Sequence, residues 1–151
     1  ETGVAAGHSS KTILTAIGKN GEGHLYSSDF PYFRLKSPEK FIGVLVDDTL
    51  KSQWTLDIRG DEFAIPDFCK KLCSIELFHY DSDKSYSGRS FVWDLIKPLL
   101  SDGSFIVFDD IQNNLAFRDL LEKEGFKNFW VFEHQRKFVG VAQFQKIISA
   151  D

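Results

Sequence analysis

The chain has 151 residues, 42% of them apolar and 15% aromatic, with a net charge of −4. That length supports one domain with a real core, and the acidic balance argues against a nucleic-acid surface. No apolar run nears the ~18 residues of a membrane span, and the first residues lack the basic–apolar–small order of a signal peptide.

In chain order, Glu1-Thr2-Gly3-Val4-Ala5-Ala6-Gly7-His8-Ser9-Ser10 reads as a tight glycine loop entering a helix through Ile17. The glycines let backbone approach a ligand, and the helix start offers unpaired N–H groups and a positive dipole end. A short strand is expected over Gly23–Ser27, a helix over Glu39–Lys51, a strand over Trp54–Ile58 and a short helix over Pro66–Leu72. Strand Ile75–Tyr80 then precedes an apolar-striped helix, Tyr86–Leu100, which Ser101-Asp102-Gly103 ends. Strand Phe105–Phe108 and helix Asn114–Glu124 follow, then strands Phe129–Glu133 and Phe138–Phe144 joined as a hairpin at Gln135-Arg136. Phe41, Trp54, Phe91, Trp93, Phe129 and Trp130 are expected in the core. Cys69 and Cys73, the two cysteines, make a poor zinc signal and favour a reducing, cytoplasmic setting.

Alternating strands and helices imply an α/β, doubly wound, mostly parallel sheet, with the final hairpin adding an antiparallel strand. A loop of this kind normally follows a buried strand. With none ahead of Glu1 and no methionine in the chain, we expect residues 1–151 to be an N-terminally truncated single domain whose first strand is missing.

Asp29, Asp61, Asp81 and the pair Asp109-Asp110 all follow predicted strands, where such sheets bind ligands. The loop lacks G-x-G-x-x-G and the phosphate-gripping lysine motif, and its acid disfavours a pyrophosphate but suits an amine. Asp29 is placed for ribose hydroxyls and Asp61 for an adenine amino group. Amine, ribose and adenine together describe S-adenosylmethionine better than NAD. The cofactor-side set is Glu1, Gly3, Gly7, Ser9, Asp29, Asp61 and Asp81.

The segments Glu1–Ser10, Ile42–Val46 with Trp54 and Gly60-Asp61, His79–Tyr86, Gly103 and Phe108–Ile111 resemble those of class I S-adenosylmethionine-dependent methyltransferases of the methyltransferase-24 type. The resemblance implies a Rossmann-like sheet of order 3-2-1-4-5-7-6. It also implies a magnesium site like that of catechol and sugar O-methyltransferases, here Asp81, Asp109 and Asp110. Three hard oxygen ligands with open positions would hold an acceptor's hydroxyls on Mg2+. By the same resemblance the general base is Asp83, two residues past Asp81, or Lys84, three past it; relatives often carry His at the latter position. Plainer roles compete throughout: Asp109-Asp110 as a helix cap, Lys84 as an ion-pair partner, His79 as a packed residue, Gln112-Asn113-Asn114 as turn and cap. The expected activity is O-methylation of a small hydroxylated acceptor, a sugar or secondary metabolite, with no nucleic-acid or membrane partner and homo-oligomerisation left open. The competing readings are a cofactor-binding module without turnover, and an oxidoreductase or hydroxylase-like enzyme.

Overall fold

The computed structural model describes residues 1–32 and 34–146, which form two compact units, Glu1–Phe68 and a second beginning at Cys69. The first contains α1 (His8–Asn20), β1 (Leu25–Ser28), β2 (Trp54–Asp57) and α2 (Asp61–Cys69), which ends at the boundary. β1 and β2 pair in parallel, Leu25 opposite Trp54 through Ser28 opposite Asp57. On the other side of β1, the backbone of residues 1–3 pairs with it in parallel: Gly3 N–H donates to Ser28 O (2.9 Å) and Ser28 N–H to Glu1 O (3.0 Å). Leu14, Leu25 and Val46 form the core here, with Ile13, Ile17, Leu50 and Trp54 packed around them. Complete burial of a leucine such as Leu14 contributes about 2 kcal/mol.

The expected helix over Glu39–Lys51 is replaced by two short 3-10 segments, Pro38–Phe41 and Asp48–Gln53. The backbone explains why: Gly43 N–H donates to Ala5 O and Leu45 N–H to Ala6 O, so these donors serve the glycine loop and not a helix. α2 starts at Asp61, well before Pro66, which lies inside it. Gly60 (φ +89°) breaks the chain after β2, and Asp61 and Glu62 place negative charge at the positive end of the helix dipole. Asp61 therefore follows β2 and is itself the first residue of α2.

The second unit contains β3 (Ile75–Tyr80), α3 (Tyr86–Ile96), β4 (Leu100–Phe108), α4 (Ala116–Glu124), β5 (Asn128–His134) and β6 (Lys137–Gln143), in sheet order β3-β4-β6-β5. β3 and β4 are parallel; β6 is antiparallel to both β4 and β5. α3 stops at Ile96, where a 3-10 turn containing Pro98 leads directly into β4. Ser101-Asp102-Gly103 thus opens a strand instead of closing a helix. Positive φ at both Gln135 and Arg136 gives the tight turn of the β5–β6 hairpin. The fold is α/β, with β1–β2 and β3–β4 paired in parallel and the C-terminal strand β6 antiparallel to both of its neighbours.

Trp93 is buried and Trp54 half-buried, but Phe41, Phe91, Phe129 and Trp130 are exposed. The last two belong to β5, an edge strand paired only with β6, so its alternation has no second layer to bury against among the described residues. No helix among the described residues is long and apolar enough to cross a membrane.

Candidate active site

In the first unit the glycine loop is folded by its own sequence. Gly3, Ala5 and Gly7 all have positive φ (77°, 48° and 96°), turning successive backbone groups inward before α1 begins. Gly7 is needed for space as well as conformation: a Cβ there would lie 2.9 Å from the Gly43 Cα. Gly43 (φ +69°) in turn lies against the Trp54 ring, 2.2 Å from where its own Cβ would stand. Sequence reading placed Gly43 and Trp54 in a family segment but missed that they seat the loop.

Asp29, buried just past β1, accepts from Val4 N–H (2.9 Å) and Ala5 N–H (2.6 Å) on one oxygen and from Phe30 N–H (2.6 Å) on the other. Glu1 is also buried; its Oε2 accepts from the hydroxyls of Ser10 (2.6 Å) and Ser27 (2.8 Å), while Trp54 Nε1–H donates to Ser27 Oγ (2.8 Å). Asp61 accepts from the Ser28 hydroxyl. Ser9 lies half-buried in the first turn of α1 and His8 is exposed. Glu1, Gly3, Gly7, Ser9, Asp29 and Asp61 therefore all belong to this one unit, and its acids hold the loop in shape.

The second unit gathers the remaining candidates. Tyr80 and Phe108, the last residues of β3 and β4, are register partners, and Asp109 N–H donates to Tyr80 O (2.9 Å). That register brings the acids that follow the two strands together: Asp81, Asp109 and Asp110 each offer an oxygen within 4.8 Å of the others. Asp110 is left-handed (φ 51°, ψ 43°), a conformation costing about 1 kcal/mol or more in a non-glycine residue. Arg89 Nη2–H, from the buried face of α3, donates to the carbonyls of both Asp109 and Asp110 at 3.0 Å. This arginine occupies a buried helix position among Val92, Trp93 and Ile96, where it is hidden in an otherwise apolar stripe.

Lys84 faces all three acids. Its ammonium hydrogen-bonds Asp81 Oδ1 and stands 3.7 Å from Asp109 Oδ2 and 3.6 Å from Asp110 Oδ2. Lys137 approaches Asp110 from outside (3.5 Å), and Gln112 Nε2–H donates to the same oxygen (3.1 Å). Burial pushes the Asp81 carboxyl above the ordinary range and the Asp109 charge adds to this, with Lys84 opposing. Burial also pushes Asp110 upward, but Gln112, Lys84 and Lys137 together outweigh it and leave this carboxyl below its ordinary value. Asp83 turns elsewhere: its carboxylate accepts from Ser85 N–H and Oγ–H, both at 2.8 Å, at the start of α3. Asn114 closes a turn just ahead of the N-cap Leu115, its Oδ1 accepting from Ala116 N–H (3.0 Å), and its Nδ2–H also pins the Lys84 carbonyl (2.7 Å). Tyr86 is exposed and donates to Asp119; His79 is half-buried within β3.

No curated protein sequence matches the chain. Among solved structures it is similar to CalS11, a TDP-rhamnose 3′-O-methyltransferase of calicheamicin biosynthesis (19% identity, TM-score 0.72, covering 96% of this chain and 70% of that one). It is also similar to an O-methyltransferase from Bacillus cereus in complex with SAH (11%, 0.65, 95% and 72%) and to the O-methyltransferase NovP (11%, 0.65, 96% and 70%). At these identities the likeness is one of fold. The backbone at 1–3 with β1 and β2, and β3-β4-β6-β5, match the stretches 3-2-1 and 4-5-7-6 of the expected strand order. The family described as "Methyltransferase domain", the methyltransferase-24 type, matches residues 1–111, and the chain belongs to that family of class I methyltransferases.

Proposed function

We propose that this chain binds S-adenosylmethionine and moves its methyl group to an oxygen of a small hydroxylated acceptor, a sugar or secondary metabolite. The observation that carries the oxygen acceptor is the convergence of Asp81, Asp109 and Asp110 at the ends of two register-paired strands in a methyltransferase. Three carboxylate oxygens that close suit Mg2+, a hard ion. Such an ion would lower the pKa of an acceptor hydroxyl and fix its direction.

The chain's own residues account for the rest. Asp29 holds the Val4, Ala5 and Phe30 amides, so the loop keeps one shape, and the one lone pair left on its Oδ1 suits a ribose hydroxyl. Gly3 and Gly7 let backbone lie against the cofactor, Ser9 offers an N–H at the start of α1, and Glu1 supplies negative charge for an amine. Asp61 suits the adenine amino group, and Asp81 belongs to the cofactor side as well as the metal set. As the acceptor oxygen bonds to the methyl carbon, the carbon–sulfur bond breaks and S-adenosylhomocysteine leaves. The oxygen's proton passes to Lys84, after the Lys84 ammonium has released a proton to solvent, or to Asp83. Lys84 is favoured, because the Asp83 carboxylate is engaged with Ser85. The free thiols of Cys69 and Cys73 accord with a cytoplasmic setting.

Titration calorimetry tests the cofactor assignment. Binding of S-adenosylhomocysteine with no heat from NAD is expected; binding of NAD in its place would overturn it.

A further inference from the structure

Three carboxylates that converge leave a charge that something must balance, and in this chain that something is the Lys84 ammonium. It donates to Asp81 and lies within 4.0 Å of both Asp109 and Asp110, whereas Lys137 reaches only Asp110 and from an exposed position. The three carboxylates facing Lys84 are those that would hold a divalent ion. Carboxylate oxygens sit about 2.1 Å from Mg2+, so the ion needs the centre of the cluster, where the ammonium stands. The backbone of Lys84 is fixed, its carbonyl held by Asn114, but its side chain is a quarter exposed and has four rotatable bonds by which to leave. The other groups around the cluster stay in place: Arg89 holds carbonyl oxygens and Gln112 is neutral.

We propose that Lys84 is the resident cation of the triad, and that a divalent ion enters only as the Lys84 ammonium swings out. Lys84 then sets the metal affinity. This rests on the metal reading above.

Mn2+ binding to the full chain, followed by the electron paramagnetic resonance of the free ion, tests it. Replacing Lys84 by an uncharged side chain removes the competitor, so Lys84→Met and Lys84→Gln should each bind Mn2+ at least about tenfold more tightly than wild type. Lys84→Arg, which keeps the charge, should stay near wild type. Lys137→Met removes the same charge from outside the cluster and should change affinity less than about threefold, separating competition from general electrostatics. Asp109→Asn should abolish binding in every background. Equal or weaker Mn2+ binding by both neutral variants, with loss in Asp109→Asn intact, would overturn the proposal and leave the metal reading standing. A Lys137→Met gain as large as that of Lys84→Met would also overturn it. No Mn2+ binding by wild type or either neutral variant would sink the metal reading and this inference together.

Discussion

Asp29 and Glu1 in the first unit are buried and take their hydrogen bonds from backbone N–H groups and serine hydroxyls; Asp81, Asp109 and Asp110 in the second are half-buried and face an ammonium. Both arrangements satisfy carboxylates, but they do different work. Neutral donors fixed in the backbone make an acid part of the scaffold, because they cannot leave without unfolding the loop. A lysine on a flexible stem pairs with its acids through a side chain alone, so it can leave them without any change in the backbone. The same carboxylate group is anchored by neutral donors in one unit and by a mobile ammonium in the other.

The largest expected effect lies in the scaffold. Gly43→Ala puts a methyl group inside the Trp54 ring at a positive φ, so it should cost about 3 kcal/mol or more in urea unfolding. A cost under about 1 kcal/mol would show that the loop is not seated as described. Arg89→Met tests the other side. It frees the Asp109 and Asp110 carbonyls and the left-handed Asp110, and Mn2+ affinity should fall about 10- to 100-fold. Unchanged affinity would mean that Arg89 only fills space. Asp29→Asn keeps the shape but cannot accept at both ends, so the loop should loosen by about 1–2 kcal/mol and S-adenosylhomocysteine bind roughly tenfold more weakly.

The smallest effect concerns an acid of the second unit outside the triad. Burial pushes Glu124 upward, but Lys97 (2.5 Å) and the Trp93 indole N–H (3.2 Å) outweigh it and hold the carboxyl below its ordinary 4.5. A depressed folded-state value means that the stabilisation is present above pH 4.5 and drains away as pH falls through the folded value. Glu124→Gln should therefore cost about 1 kcal/mol at pH 7, with the gap to wild type closing in acid. A gap that is constant with pH would remove the charge from the explanation.

Much of this was legible before the structure. The strands ahead of Asp81 and Asp109 are apolar runs ending in acids, which put those acids at strand ends; that Asp81, Asp109 and Asp110 form one set was implied by the family resemblance. The helix expected at 39–51 failed because its N–H groups are spent on Ala5 and Ala6, a tertiary pairing that no local periodicity reports. Arg89 was not legible as the brace of Asp109 and Asp110 for a like reason: the carbonyls it holds reach it from the turn after β4, a tertiary contact that the helix pattern does not report. Asp83 looked like a base by spacing, yet an acid two residues before a serine at a helix start is also turn chemistry, and that is the bonding observed.

Methyl transfer itself is the most direct test. With labelled S-adenosylmethionine and a panel of sugars, polyols and catechols, the chain should label an acceptor hydroxyl in Mg2+, and the rate should fall at least about tenfold with chelator or with Asp109→Asn. Binding of S-adenosylhomocysteine without labelling of any acceptor, or labelling indifferent to both chelator and Asp109→Asn, would contradict the account.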